Sequence, residues 1–271
     1  IGTAKITQEE MEGIPHHLID IKEPDESFST AEFQELVRKK IDEISSRGKM
    51  PMIVGGTGLY IQSVIFDYHF TDAPSDPTFR RSLEQAAEAN GQEFLHGKLK
   101  DADPESAARI HPNNVRRVIR ALEIIHCTGK TAGELQENQS PELLYDTALI
   151  GLTMDREMLY NRINYRVDLM MKQGLLDEVQ YFYEKGLRDC QSIQAIGYKE
   201  LYDYFDGKVP LELAIENLKQ NSRRYAKRQL TWFRNKMNVE WFDMSESKDA
   251  EKKFAEISKF IEGKLERKAN T

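Results

Sequence analysis

Gly55-Gly56-Thr57-Gly58 follows the short apolar run Met50–Val54 and precedes a helical pattern that begins at Leu59. Where a parallel strand ends and a helix begins, successive backbone N–H groups and the helix N-terminus attract anions and phosphates. The glycines let a backbone approach closely, and Thr57 supplies a hydroxyl. The same four residues also suit a tight strand–helix turn with no ligand, and spacing alone does not separate the two. Arg162 and Arg166 form an i,i+4 pair, so both guanidinium forks project from one side of a helix and match phosphate oxygens at two points. Asp168 offers this pair a structural partner instead.

Two further basic groups stand out. Arg116, Arg117 and Arg120 lie beside the apolar stripe of a helix running from Asn114, with Val115, Val118, Ile119, Leu122 and Ile125 inward. Arg116 and Arg120 are like charges at i,i+4, a slightly destabilising choice unless an anion shares them. A solvated face or internal salt bridges is the competing reading, and for a generic arginine-rich helix it prevails. Arg223, Arg224, Lys227, Arg228 and Arg234 surround Tyr225, Trp232 and Phe233, and basic residues interleaved with aromatics can take RNA. The aromatics read better as core. The five charges have no acidic neighbour within their helix. Gly129-Lys130-Thr131 looks like the end of a Walker A loop, but position 124 is Ile rather than Gly, so a helix C-cap is the better reading. His16, His17 and His111 have no metal-type partners nearby, and no Ser–His–Asp or Cys–His pattern is present.

The elements that must carry these residues fall into an α/β order. His17–Ile21 reads as a short strand. Ser29 and Glu32 form a capping box for a helix with Phe33, Leu36, Val37, Ile41 and Ile44 on one face, ending at Gly48. Met50–Val54 reads as a strand leading into the glycine turn, so the order helix–strand–glycine loop–helix implies a parallel sheet. Thr71–Pro77 is a linker, and from Phe79 to Ile125 only helices are expected, with breaks near Gly91, Gly97 and Pro104. A polar stretch, Thr128–Glu142, leads to a buried strand at Ala148–Leu152. Helices follow over Asp155–Gly174 (Leu159, Ile163, Val167 and Met170 inward), Leu175–Gly186 and Leu211–Phe233. The expected organisation is a core at 1–74 and 141–271, interrupted by a helical insertion at 75–140.

Bulk properties narrow the class. The chain has 271 residues, 39% hydrophobic and 31% charged, as expected of a folded water-soluble protein. No apolar run approaches the ~20 residues of a membrane helix. Two cysteines without metal-ligand spacing point to a reducing, cytoplasmic setting. The net charge of −7 does not suggest nucleic acid, but its distribution does: Asn217–Asn238 holds seven Lys or Arg and no acid, while acidic residues such as Asp203 and Asp206 collect elsewhere.

Several phrases together resemble the tRNA dimethylallyltransferases, also called tRNA isopentenyltransferases. They are Ile1-Gly2-Thr3-Ala4-Lys5, His17-Leu18-Ile19-Asp20, Val54-Gly55-Gly56-Thr57-Gly58-Leu59-Tyr60, Ala108-Arg109-Ile110-His111-Pro112-Asn113, Arg120-Ala121-Leu122-Glu123, Ile196-Gly197-Tyr198-Lys199-Glu200, and Ala226-Lys227-Arg228-Gln229-Leu230-Thr231-Trp232-Phe233-Arg234. They occur in family order across nearly the whole chain; each is weak alone and the series is specific. The resemblance implies transfer of a dimethylallyl group from dimethylallyl diphosphate to N6 of adenosine 37 of tRNA, with Mg²⁺. It implies a P-loop NTPase-like parallel-sheet core with a helical insertion that grips the anticodon stem-loop. By the same likeness Thr57 and Arg80 contact tRNA near the target base. Arg116, Arg117, Val118, Ile119 and Arg120 form the tRNA face of the insertion. Gln194, Ala195, Ile196, Gly197, Tyr198 and Lys199 make a further tRNA contact, and Arg162 or Arg166 holds the diphosphate. The family's first strand, Walker-type loop and general-base Asp are expected upstream of Ile1. An adenylate isopentenyltransferase on free nucleotide, a P-loop kinase and a non-catalytic RNA-binding protein are the alternatives. The helical insertion and the basic stripes argue against the first.

Overall fold

The computed structural model describes residues 1–68, 70, 75–136, 142–246 and 250–269. It is an α/β chain of many helices and a small parallel sheet. Residues 71–74 of the expected linker and 137–141 of the polar stretch lie outside the described residues. Two compact units are present, Ile1–Val64 with Tyr145–Thr271, and Ile65–Leu144.

In the first unit, α1 (Thr30–Ser46) starts where the Ser29 hydroxyl accepts the Glu32 N–H at 3.1 Å. Its Arg38 guanidinium donates to the carbonyls of Ser63 and Val64 at 3.1 and 3.3 Å, satisfying acceptors left over at the end of α2 (Gly58–Ile65). The strand expected at Met50–Val54 does not form. The segment pairs with no strand among the described residues, and Met50, Met52 and Val54 are exposed. A strand is defined by hydrogen bonds to a neighbour, which an apolar run does not encode. His17–Ile21 is not a strand either, because Leu18 and Asp20 have φ of +60° and +55°.

The sheet is formed by β1 (Ile150–Thr153) and β2 (Glu240–Asp243), parallel with Ile150 opposite Glu240 and Thr153 opposite Asp243. Parallel neighbours need a long crossover. Here it comprises α8 (Arg156–Lys172), α9 (Leu175–Glu184), a 3₁₀ turn (Ser192–Gln194), α10 (Tyr198–Phe205) and α11 (Leu211–Lys236). β1 was expected to be buried, but Leu152 is exposed. The core of this unit lies between the crossover helices and centres on Val167, Leu175, Val179, Leu201, Ala214 and Leu218. Gly197, with φ +104°, precedes α10, and its N–H donates to the buried Glu200 carboxylate at 2.8 Å. A side chain at that φ would be strained. The chain ends with α12 (Ala250–Ala269), which the apolar pattern did not single out.

The second unit holds α3 (Pro77–Asn90), α4 (Gln92–Ala102), α5 (Pro104–Arg109), α6 (Val115–Thr128) and α7 (Ala132–Gln136). Asp76 and Asp103 cap α3 and α5, each followed by Pro at the first helical position. Gly97 sits inside α4 and breaks nothing. Gly129 ends α6 in the left-handed region at φ +70°, as the C-cap reading requires. Leu83, Leu95, Leu99, Val118, Ile119 and Leu122 form this unit's core.

Leu201 has no exposed surface. Leu201→Ala is expected to destabilise the first unit by about 2–5 kcal/mol, through lost burial and a cavity that neighbouring helices cannot fill. Urea unfolding followed by circular dichroism measures this, and a change below about 1 kcal/mol would mean that the helices re-close.

Candidate functional site

The glycine turn is shaped by the helix behind it. Thr57 is exposed, and its carbonyl accepts the N–H groups of Tyr60 and Ile61, which opens α2. The side-chain amide of Gln229 on α11 donates to the Gly56 carbonyl at 2.9 Å. A Cβ on Gly56 would lie 2.0 Å from Nε2 of Gln229, and one on Gly58 would lie 2.1 Å from the Trp232 ring. None of Gly55, Gly56 and Gly58 has a positive φ. Gly58 is therefore required by the close approach of the Trp232 ring, Gly56 meets the flexible end of Gln229, and Gly55 faces open space. With its back pinned in this way, the turn presents the Thr57 side chain outward.

Arg162 and Arg166 are both exposed on α8 and have no ion pair among the described residues. Their suggested partner Asp168 pairs instead with Lys219 of α11 at 2.6 Å. The Glu10 carboxyl, held below its usual range mainly by the Thr7 N–H and hydroxyl, also feels Arg166. Beside α8 and α11 lies an open cleft of about 660 Å³ lined by Asp155, Glu157, Tyr160, Asn161, Asn164 and Arg223 among others. Thr57, Arg162 and Arg166 do not line it. Arg223 already donates to Asn164 at 2.6 Å and to Glu216 at 3.1 Å.

That contact also corrects the sequence reading of α11, because Arg223 has an acidic partner in its own helix, Glu216, two turns back. Arg224, Lys227, Arg228 and Arg234 are exposed. Arg228 lies over the Tyr225 ring at 5.7 Å and Arg234 over Trp241 at 5.3 Å. Trp232 and Phe233 are half-buried, and Tyr225 is exposed rather than core.

Of the six residues Gln194–Lys199, the structure turns Gln194, Ala195 and Lys199 outward and Gly197 and Tyr198 inward. The Tyr198 hydroxyl donates to Glu178 at 2.6 Å. Burial, then that bond, pushes its phenol well above the ordinary tyrosine range. Tyr198 is thus a core group, unable to reach a ligand.

In the helical unit, Arg116 and Arg117 are exposed and free of ion pairs among the described residues. Val118 and Ile119 are 0% and 4% exposed, so they hold α6 in its core, and their side chains are not part of a binding face. Arg120 and Arg80 both bind Glu123, which is 0% exposed. Glu123 was not singled out by sequence reading; the only available sign was an acid three residues after Arg120. Gln229 and Trp232 were missed as partners of the turn because they lie more than 170 residues from it in sequence. No group of three His, Cys, Asp or Glu among the described residues could hold a metal, and no helix among them is long and apolar enough to cross a membrane.

Comparison with known proteins follows the same lines. Residues 1–236 match the family described as IPP transferase. The tRNA dimethylallyltransferase of Bacillus subtilis (strain 168) is 68% identical over 98% of this chain and 85% of its own length. The crystal structure of a full-length tRNA isopentenylpyrophosphate transferase from Bacillus halodurans is similar at 58% identity and TM-score 0.72, covering 99% of this chain and 84% of that one. A eukaryotic dimethylallyltransferase, solved acting on tRNA, matches at 31% identity and TM-score 0.76 over 92% of this chain and 65% of that one.

Thr57→Ala removes an exposed hydroxyl and leaves the Gln229 and Trp232 contacts in place. In the full-length enzyme it is expected to lower turnover while shifting stability by no more than about 0.5 kcal/mol. Gly58→Ala drives a methyl into the Trp232 ring, so it should disturb both turnover and Trp232 fluorescence. Parallel kinetics and thermal melts separate the two; normal turnover in Thr57→Ala would leave the turn with a structural role only.

Proposed function

We propose that this chain, which belongs to the IPP transferase family, transfers a dimethylallyl group from dimethylallyl diphosphate to N6 of adenosine 37 in tRNA. The observation that carries this reading is the exposed Thr57, on a turn pinned to α11 by Gln229 and Trp232, in a chain that resembles dimethylallyltransferases along nearly its whole length. The N6 lone pair of the adenine attacks the allylic carbon, the bond from that carbon to the diphosphate oxygen breaks, and the N6 proton passes to a base. None of the residues described above is assigned as that base. The leaving diphosphate takes up most of the developing charge, so fixed cations around it contribute most to the rate.

Arg162 and Arg166 suit that task. They are exposed, lie one turn apart on a capped helix, and make no ion pair among the described residues. Thr57 and Arg80 would meet the RNA near the target base, which must leave its stack to reach the donor. Arg116 and Arg117 on α6, with Arg224, Lys227 and Arg228 on α11, supply exposed cations for tRNA phosphates of the anticodon stem-loop. Gln194, Ala195 and Lys199 are the accessible part of the contact expected at 194–199. Mg²⁺ is expected with a diphosphate donor, but the described residues offer it no ligand cluster, and no step is assigned to it.

The test is transfer of label from dimethylallyl diphosphate to tRNA by the full-length protein. Arg162→Lys and Arg166→Lys keep the charge but lose the planar fork. The one that holds diphosphate should fall by about 10²-fold in kcat or rise correspondingly in KM for the donor, with tRNA affinity unchanged. If both lysine variants match wild type, the pair has no part in binding diphosphate. Arg116→Ala with Arg117→Ala should weaken tRNA binding and flatten its salt dependence by roughly 2 in slope, leaving the donor KM alone.

A further inference from the structure

Glu123 is a carboxylate with no exposed surface on a helix whose neighbouring charges are arginines. It accepts four contacts. Arg80 reaches it as a fork, Nε to Oε1 at 2.7 Å and Nη2 to Oε2 at 2.8 Å. Arg120 Nη1 donates to Oε2 at 2.6 Å, and the Asp76 N–H donates to Oε1 at 2.9 Å. Burial pushes this carboxyl up, but Arg80, Arg120 and the Asp76 N–H outweigh it and hold the group below its ordinary range. Asp76 in turn caps α3, so Glu123 ties α6 to the start of the helix that carries Arg80.

Both guanidiniums are anchored on Glu123, and Arg80 keeps an outer edge open. The side chains of Arg80 and Arg120 remain 42% and 38% exposed although their common anchor is wholly buried. Arg80 Nη1 has no hydrogen bond among the described residues. A free arginine must give up about 2 kcal/mol of rotamer freedom to meet a phosphate, whereas one already fixed by its fork gives up less. Arg116 and Arg117, with no such anchor, are the contrasting case on the same unit.

We propose that Glu123 is a positioning residue for tRNA recognition, setting Arg80 from the buried side so that its outer N–H edge meets the RNA backbone. This rests on the reading of the helical unit as a tRNA-binding face. It leads to a result opposite to charge counting. Removing a carboxylate beside a phosphate-binding face should strengthen binding if long-range attraction were all that mattered. If Glu123 positions Arg80, removing its charge weakens binding despite the gain of one positive charge.

The experiment uses the full-length enzyme with Glu123→Gln, which keeps shape and loses charge, and with Arg80→Lys, which keeps charge and loses the fork. tRNA affinity is measured across a salt series, with donor KM, kcat and thermal melting for each variant. Both variants are expected to bind tRNA about tenfold more weakly per folded molecule, with donor KM unchanged. Equal or tighter tRNA binding by folded Glu123→Gln overturns the proposal. If that variant does not fold, Arg80→Lys decides alone, and wild-type tRNA affinity there overturns it. The Arg116→Ala/Arg117→Ala double variant separates the two levels. If it leaves tRNA affinity and salt slope intact, the tRNA-face reading itself falls; if it weakens binding while the Glu123 variant does not, only the positioning role falls.

Discussion

The Trp232 ring of α11 packs where a Cβ on Gly58 would stand, and beside it the side-chain amide of Gln229 reaches the carbonyl of Gly56. That close approach fixes where α11 can run, and much of the first unit is arranged along it. Going back toward its start, α11 meets Asn164 of α8 through Arg223 at 2.6 Å, Glu200 of α10 through Asn221 at 2.7 Å, and Asp168 of α8 through Lys219 at 2.6 Å. At the far end Arg234 lies over Trp241 of β2. Its length is about 39 Å at 1.5 Å per residue, enough to span these partners in a single rigid element. The helix is thus held by polar contacts spaced along it, with Ala214 and Leu218 as its buried anchors.

The same accounting sorts the arginines. A buried carboxylate is unstable without cations, so Arg80 and Arg120 have a structural reason to exist in Glu123. Arg223 has Asn164 and Glu216. Arg116, Arg117, Arg162 and Arg166 have no comparable partner among the described residues, and exposed cations add little to stability in any case. They are left as exposed cations without an ion pair among the described residues. The formal net charge of −7 hides this, because the acids are placed in other clusters, such as Asp203 and Asp206 around Lys208 and Arg188.

What could be read from the sequence was what is encoded locally. Ser29 and Asp155 open their helices by bonds to N–H groups two or three residues on, and Gly129 closes one, so the starts and stops of α1, α8 and α6 were visible. Met50–Val54 was misread because apolar character is local but strand pairing is not. Glu240–Asp243 gave too short a run to register and is a strand only by virtue of Ile150–Thr153, some ninety residues earlier. At the candidate site, residue type and spacing singled out Thr57 and the arginines but left their roles open, and the structure adds that Thr57, Arg116, Arg117, Arg162 and Arg166 are exposed. Val118, Ile119 and Tyr198 were carried along with exposed neighbours in phrases whose inward members serve the core. Glu123 was overlooked because its role depends on Arg80, forty-three residues away in another helix.

Several of the phrases that carry the family resemblance meet one another in the fold. Gly55–Tyr60 holds the glycines that Gln229 and Trp232 meet, and both of those lie within Ala226–Arg234. Ile1–Lys5 contributes Gly2, where a Cβ would lie 2.7 Å from the ring of Tyr198, and Tyr198 lies within Ile196–Glu200. That last phrase contributes Glu200, which caps Gly197 and takes the amide of Asn221 on α11. Ala108–Asn113 supplies Ile110, whose carbonyl bonds the ring of His96 at 2.8 Å. Such contacts couple stretches that lie far apart in sequence. This is why each phrase alone, being glycines and common polar residues, says little, while their joint occurrence in order says a great deal. Gly56, Gly58, Gln229 and Trp232 likewise meet in one contact, beside which Thr57 is exposed.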